Sequence, residues 1–134
     1  MKDGKPLVLI VEDDIDTSDN IKARLIQEGY EVIACFDGLR ALEIIRKQPV
    51  DFVIVDLMIP GLIGYHLCRL VKFDERFQHL PMLVLTAKTD TKFKQYSERA
   101  GADRFLTKPF DMNRLIAIVG SYFKGTDKDG RGIA

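Results

Sequence analysis

The chain has 134 residues, close to the commonest size of one domain, and 46% of them are apolar, enough to build a single core. Lys plus Arg equals Asp plus Glu at 20 each, with no basic stripe, which argues against a direct grip on nucleic acid. Only five apolar residues, Leu7–Val11, precede the first acids, and no stretch approaches bilayer length, so a cytoplasmic protein without a membrane span is expected.

In chain order, the first apolar run is Leu7–Val11, nearly continuous in Leu, Val and Ile. Such a run fits a strand covered on both faces. Asp16 then offers a helix N-cap, Ile21 and Leu25 share one helical face, and Gly29 offers a C-cap. Glu31–Cys35 reads as a second strand, and Asp37 as the cap of a second helix with Leu42 and Ile45 on one face. Phe52–Val55 is another continuous strand, followed by a helix from about Ile63 to Asp74 with Leu67, Leu70 and Val71 at helical spacing. Met82–Leu85 is the fourth strand, and Thr89–Ala100 a mostly polar fourth helix ended by Gly101. Arg104–Thr107 is the fifth strand, and a last helix after Asp111 carries Leu115, Ile116, Ile118 and Val119. Residues 1–123 thus read as one domain, and 124–134, polar and rich in Gly, as a tail or the start of a linker. Strand and helix alternate five times, so right-handed crossovers give an α/β, doubly wound parallel sheet with helices on both faces, a three-layer sandwich.

Ligands of such sheets bind at the carboxyl ends of the strands. Glu12, Asp13 and Asp14 follow the first strand, Asp56 the third, Thr86 the fourth, and Lys108 and Pro109 the fifth. Carboxylates that converge in one cleft repel each other unless a cation neutralises them, and an all-oxygen set suits Mg²⁺. A carboxylate can attack phosphorus to form an acyl phosphate, while a metal ion, an ammonium and a hydroxyl offset charge on the equatorial oxygens. Cys35 and Cys68 form no CxxC and read as small apolar side chains in a reducing compartment.

These residues lie in stretches that carry a family likeness: LVLIVEDD (7–14), DLMIPGLIG (56–64), LVLTAK (83–88) and GADRFLTKPF (101–110). The chain resembles the CheY-like receiver domain of two-component response regulators from Leu7 to about Phe123. The resemblance implies the strand order 2-1-3-4-5 with five helices, and assigns roles position by position. Asp56 matches the phosphoacceptor, and Glu12 and Asp13 the acidic pair that, with Asp56 and the Met58 carbonyl, holds Mg²⁺ or Mn²⁺. Thr86 matches the switch hydroxyl, Lys108 the lysine that pairs with phosphate, and Pro109 a cis-linked proline. Met58 and Lys88 flank the route of hydrolytic water, which implies slow self-dephosphorylation and no turnover of an outside substrate.

The likeness departs at two positions. Phe105 stands where many relatives have a switching Tyr, so an ordinary core role and an inward rotation are equally open. Ile63 precedes Gly64 where an acid is common. Implied partners are a sensor histidine kinase or phosphotransfer protein, and a downstream protein or output domain reading the fourth helix, fifth strand and fifth helix. A homodimer that forms on phosphorylation is a further expectation.

Two other functions have weaker support. Asp14-Ile15-Asp16-Thr17, a D-x-D-T, approximates the D-x-D-x-T of haloacid dehalogenase phosphatases, but the late acids, Asp111, Asp127 and Asp129, fall in a cap and a tail. No Gly-rich phosphate loop follows the first strand, as a flavodoxin-like cofactor carrier would need.

Overall fold

In the computed structural model, which describes residues 4–123, five strands and five helices alternate along the chain. They are β1 (Leu7–Val11), α1 (Ile15–Gln27), β2 (Glu31–Cys35), α2 (Gly38–Lys47), β3 (Phe52–Asp56), α3 (Gly64–Lys72), β4 (Met82–Thr86), α4 (Thr91–Arg99), β5 (Arg104–Thr107) and α5 (Met112–Ser121). All strand pairs are parallel, in the order β2-β1-β3-β4-β5. The direction of winding therefore reverses between β1 and β3, and that reversal opens a crevice at their carboxyl ends.

The continuous apolar runs are explained by cover on both faces. Successive side chains of a strand point to opposite sides. Leu9, Val11, Val53, Val55, Met82 and Val84 meet α2 and α3 through Ala41, Ile44, Ile45, Leu67, Cys68 and Val71. Val8, Ile10, Phe52, Ile54, Leu83 and Leu85 meet α1 and α5 through Ile21, Leu25, Leu115, Ile118 and Val119. The outermost strands, β2 and β5, are less buried, as sheet edges must be.

A charged clamp secures the amino ends of β4 and β5. Lys72, at the end of α3 and only 9% exposed, sits 2.7 Å from the Asp103 carboxylate. Its ammonium also donates to the carbonyls of Leu80 at 2.6 Å and Gln78 at 3.3 Å. Asp103 Oδ2 in turn accepts the Met82 N–H at 2.8 Å. One cation thus ties together the end of α3 and the starts of β4 and β5.

Four local expectations need correction. The N-cap of α1 is Asp14, not Asp16: its carboxylate accepts the Thr17 N–H at 3.3 Å and bonds the Thr17 hydroxyl. Asp16 lies in the first turn, where its charge favours the positive end of the helix dipole. Leu70 is 47% exposed, because the buried stripe of α3 runs through Gly64, Leu67, Cys68 and Val71 and Leu70 sits one residue step, roughly 100°, to its side. α3 ends at Lys72 rather than Asp74, with Phe73 as its C-cap. α4 starts at Thr91 rather than Thr89, because Asp90 closes a turn on Ala87, donating its N–H to that carbonyl at 3.0 Å and accepting the Ala87 N–H at 2.9 Å. The tail expected at 124–134 lies outside the described residues.

Candidate phosphoacceptor and metal site

β1 ends at Val11, and the next residue, Glu12, continues the ladder by donating its N–H to the Cys35 carbonyl at 3.1 Å. That pairing draws the Glu12 side chain inward, where it is fully buried. A buried carboxylate needs partners. Glu12 Oε1 accepts from the Lys108 ammonium at 2.7 Å, and Oε2 from the Asp14 N–H at 3.2 Å. Asp56 is the last residue of β3 rather than the one after it, and is half-buried. The same ammonium donates to Asp56 Oδ2 at 3.2 Å. One lysine, just past the end of β5, therefore joins the tips of β1 and β3.

Lys108 can reach them because its backbone N–H donates to the Thr86 carbonyl at 2.6 Å, which fixes the start of the loop after β5. The Lys108–Pro109 peptide is cis. Asp13, beside Glu12, is exposed and completes the cluster. Glu12, Asp13 and Asp56 each offer a carboxylate oxygen, and these lie within 4.8 Å of one another.

The electrostatics follow from this crowding. Burial pushes the Glu12 carboxyl above its ordinary value, and the Asp56 charge adds to that, against the opposing pull of Lys108 and the Asp14 N–H. Burial pulls on the Lys108 ammonium in the opposite sense. Glu12 and Asp56 together outweigh it and hold the lysine above its usual value. Three carboxyls thus face one ammonium, a set short of positive charge and equipped to take up a divalent cation.

The remaining sequence-predicted residues border this cluster. Met58 is 45% exposed in the loop after β3, and its N–H approaches Asp56 Oδ1 at 3.4 Å. Thr86 ends β4, one residue beyond the Leu85 that pairs with Asp56. Its side chain is buried but makes no hydrogen bond to the carboxylates. It lines a separate hollow of about 250 Å³ with Lys88 and Lys94. Phe105 is half-buried against the α2–α3 side of the core, with the Lys94 ammonium 5.5 Å from its ring centre.

The stretch from Asp14 to Thr17 is accounted for by capping, since Asp14 is spent on Thr17. Sequence reasoning missed the backbone role of Asp14 towards Glu12 and the need for glycine at 38 and 64. The Gly38 N–H donates to the Pro60 carbonyl at 2.9 Å, and a Cβ there would come within 2.4 Å of the Leu62 carbonyl oxygen. A Cβ at Gly64 would meet Leu57 Cα and O at 2.9 Å. Both glycines follow a helix N-cap, and that position was the available signal.

The sequence pattern of the response regulator receiver domain matches residues 8–120. This chain belongs to that family. Among curated relatives, the receiver domain is 34% identical over 123 residues to the DNA-binding dual master transcriptional regulator RpaA of Synechocystis, covering 92% of this chain and 51% of that protein. It thus spans about half the length of the curated relatives it matches. Among solved structures, the chemotaxis response regulator CheY4 of Vibrio cholerae is 30% identical with a TM-score of 0.80, covering 86% of this receiver and 96% of that chain. The receiver domain of a sensor histidine kinase from Pseudomonas aeruginosa is 28% identical with a TM-score of 0.81, covering 89% and 98%. That structure holds a magnesium ion in its active-site cleft. Among the described residues of this receiver, no helix is long and apolar enough to cross a membrane.

Proposed function

We propose that Asp56 accepts a phosphoryl group and that the receiver, so modified, changes the conformation of its carboxyl-edge loops to control a downstream partner. The observation that carries this reading is the Lys108 ammonium held between Glu12 and Asp56, at 2.7 and 3.2 Å, beside a carboxylate cluster open to solvent through Asp13. Hard oxygen donors are what Mg²⁺ or Mn²⁺ prefers, and opposed ligands on Mg²⁺ lie roughly 4 Å apart, so the cluster needs little movement to share one ion. Glu12, Asp13, Asp56 and the Met58 carbonyl would hold that ion, with Glu12 acting through water. When bound, it supplies positive charge against the oxygens of the transferring group.

Asp56 attacks phosphorus in line, forming a carboxyl O–P bond as the P–N bond of a donor phosphohistidine breaks and the imidazole leaves. The donor is a sensor histidine kinase or phosphotransfer protein, or a small acyl phosphate. The acyl phosphate adds up to about two negative charges. Lys108 then exchanges part of its contact with Asp56 for a phosphoryl oxygen, and the Thr86 hydroxyl, unengaged by the carboxylates, turns towards another. Those two movements pull on the loops after β4 and β5 and bias an existing two-state equilibrium.

Readout belongs to the face formed by α4, β5 and α5, where a downstream protein, an output domain or a second phosphorylated copy would dock. Phe105 lies on β5 within that face and fills space as Thr86 moves. Nucleic acid is not a partner of this domain itself, and its proposed setting is the cytoplasm. The receiver catalyses only its own phosphorylation and slow dephosphorylation. Met58 offers no polar group to orient water, and Lys88 beside the Thr86 hollow can cover the phosphoryl group.

Incubation with acetyl phosphate and Mg²⁺ tests this. Intact mass should rise by one phosphate, and an Asp56→Asn variant should not gain it. The modified form should persist for minutes. Unchanged mass in the parent protein rejects phosphoacceptance, and decay within seconds rejects the slow turnover.

A further inference from the structure

The groove between α3 and α4 shares no lining residue with the carboxylate cluster. It encloses about 480 Å³, within the range of small-ligand sites, and is lined by Tyr65, His66, Arg69, Phe73, Tyr96 and Arg99, with no acid among its lining residues. Tyr65, half-buried, is the ring with the most aromatic neighbours among those lining the groove. Its ring centre lies 4.2 Å from that of His66, 5.4 Å from that of Tyr96 and 6.0 Å from that of Phe93. Phe73, at the end of α3, is 69% exposed, the most open large apolar side chain among the described residues. Arg69 stands over that ring at 5.7 Å.

Two features ask for a ligand. Arg69 and Arg99 come one from each helix, and neither pairs with a carboxylate among the described residues, as is also true of Arg46, Arg104 and Arg114 but not of Arg24, Arg40 and Arg76; only Arg69 and Arg99 line this groove. The Tyr65 and Tyr96 hydroxyls on the same walls make no hydrogen bond there either. Guanidinium groups present planar forks that match phosphate oxygens, and aromatic faces stack on planar bases. The groove therefore combines two arginines without a carboxylate partner with an aromatic wall and the exposed Phe73 ring beneath Arg69.

We propose that this groove binds a nucleoside phosphate, with the base against Tyr65, Tyr96 and Phe73 and the phosphates held by Arg69 and Arg99. An acidic peptide would satisfy the charge but has no use for the stacking faces, so the nucleotide is the better match. The proposal does not depend on phosphorylation of Asp56.

Titration calorimetry on the full chain in EDTA tests it, since removal of divalent ions silences the carboxylate cluster. ADP should bind in a saturable way at one site. Adenosine, without phosphate, and pyrophosphate, without a base, should each bind at least about tenfold more weakly. Arg69→Ala and Arg99→Ala should each weaken ADP by about tenfold or more. Both arginines are exposed, so the variants should keep the parent circular dichroism spectrum, and Tyr65→Leu should weaken ADP while leaving pyrophosphate unchanged. The proposal is overturned if ADP does not bind, if pyrophosphate binds as well as ADP, if the arginine variants bind ADP like the parent, or if a poly-glutamate peptide binds the groove more tightly than ADP.

Discussion

Lys108 supplies a single ammonium to two carboxylates, one of them fully buried. Its removal leaves Glu12 without its cation in a site that cannot hydrate it freely. Lys108→Met should lower stability by about 1–2 kcal/mol in metal-free urea unfolding, less than a fully buried pair would, because the lysine itself is 30% exposed. It should also weaken any response of the loops to acetyl phosphate. The two thiols give a second test at this scale. Burial raises Cys35 from 9.0 to about 11 and Cys68 from 9.0 to about 12. An acid held protonated by the fold binds its proton more tightly folded than unfolded, so stability falls as pH rises between the two values. Their contribution should be fully present below pH 9.0 and lost between 9.0 and about 12, in urea titrations repeated across that range. A Cys35→Ala, Cys68→Ala double variant should show a shallower decline. The convergence of Glu12, Asp13, Asp56 and Lys108 was legible because each stands at or just past the end of an apolar run. The cap was not, because Asp13, Asp14 and Asp16 crowd one turn, and only geometry decides which carboxylate reaches the Thr17 N–H.

At the scale of elements, α3 depends on how closely its first turn approaches the end of β3. The Gly64 N–H donates to the Leu57 carbonyl at 2.8 Å, and an added Cβ would press on the Leu57 backbone at 2.9 Å. Backbone cannot yield as a flexible side chain can. Gly64→Ala should therefore lower stability by about 1–3 kcal/mol and shift the loop that carries Met58, as read by urea unfolding and amide NMR. The opposite result, a gain in stability from the better helix former, would mean the loop moves freely. Five strands and five helices were readable from apolar runs because β1, β3 and β4 are buried on both faces. Helix ends were less so. The turn that Asp90 makes with Ala87 removes Thr89 from α4, and nothing in a polar stretch announces such a bond beforehand. Leu70 was misjudged because three-residue spacing from Leu67 looked like one face, while Gly64 and Cys68 set the true centre of the stripe.

For the whole molecule, the sheet has two unlike rims. The carboxyl rim gathers Glu12, Asp13, Asp56 and Lys108, whose charges do not balance. The amino rim of β4 and β5 is closed by Lys72, whose ammonium meets one carboxylate and two carbonyls. Lys72→Met should cost about 1–3 kcal/mol in thermal or urea unfolding, since Asp103 keeps the Met82 N–H but loses its cation. It should leave the mass gain from acetyl phosphate intact, and a loss of that gain would show that the two rims are coupled. A lysine within an amphipathic helix reads from sequence as a solvated residue, so this clamp was invisible until the chain was folded. Because this fastening lies at the opposite rim from the carboxylate cluster, the loops that follow β4 and β5 can rearrange without undoing it.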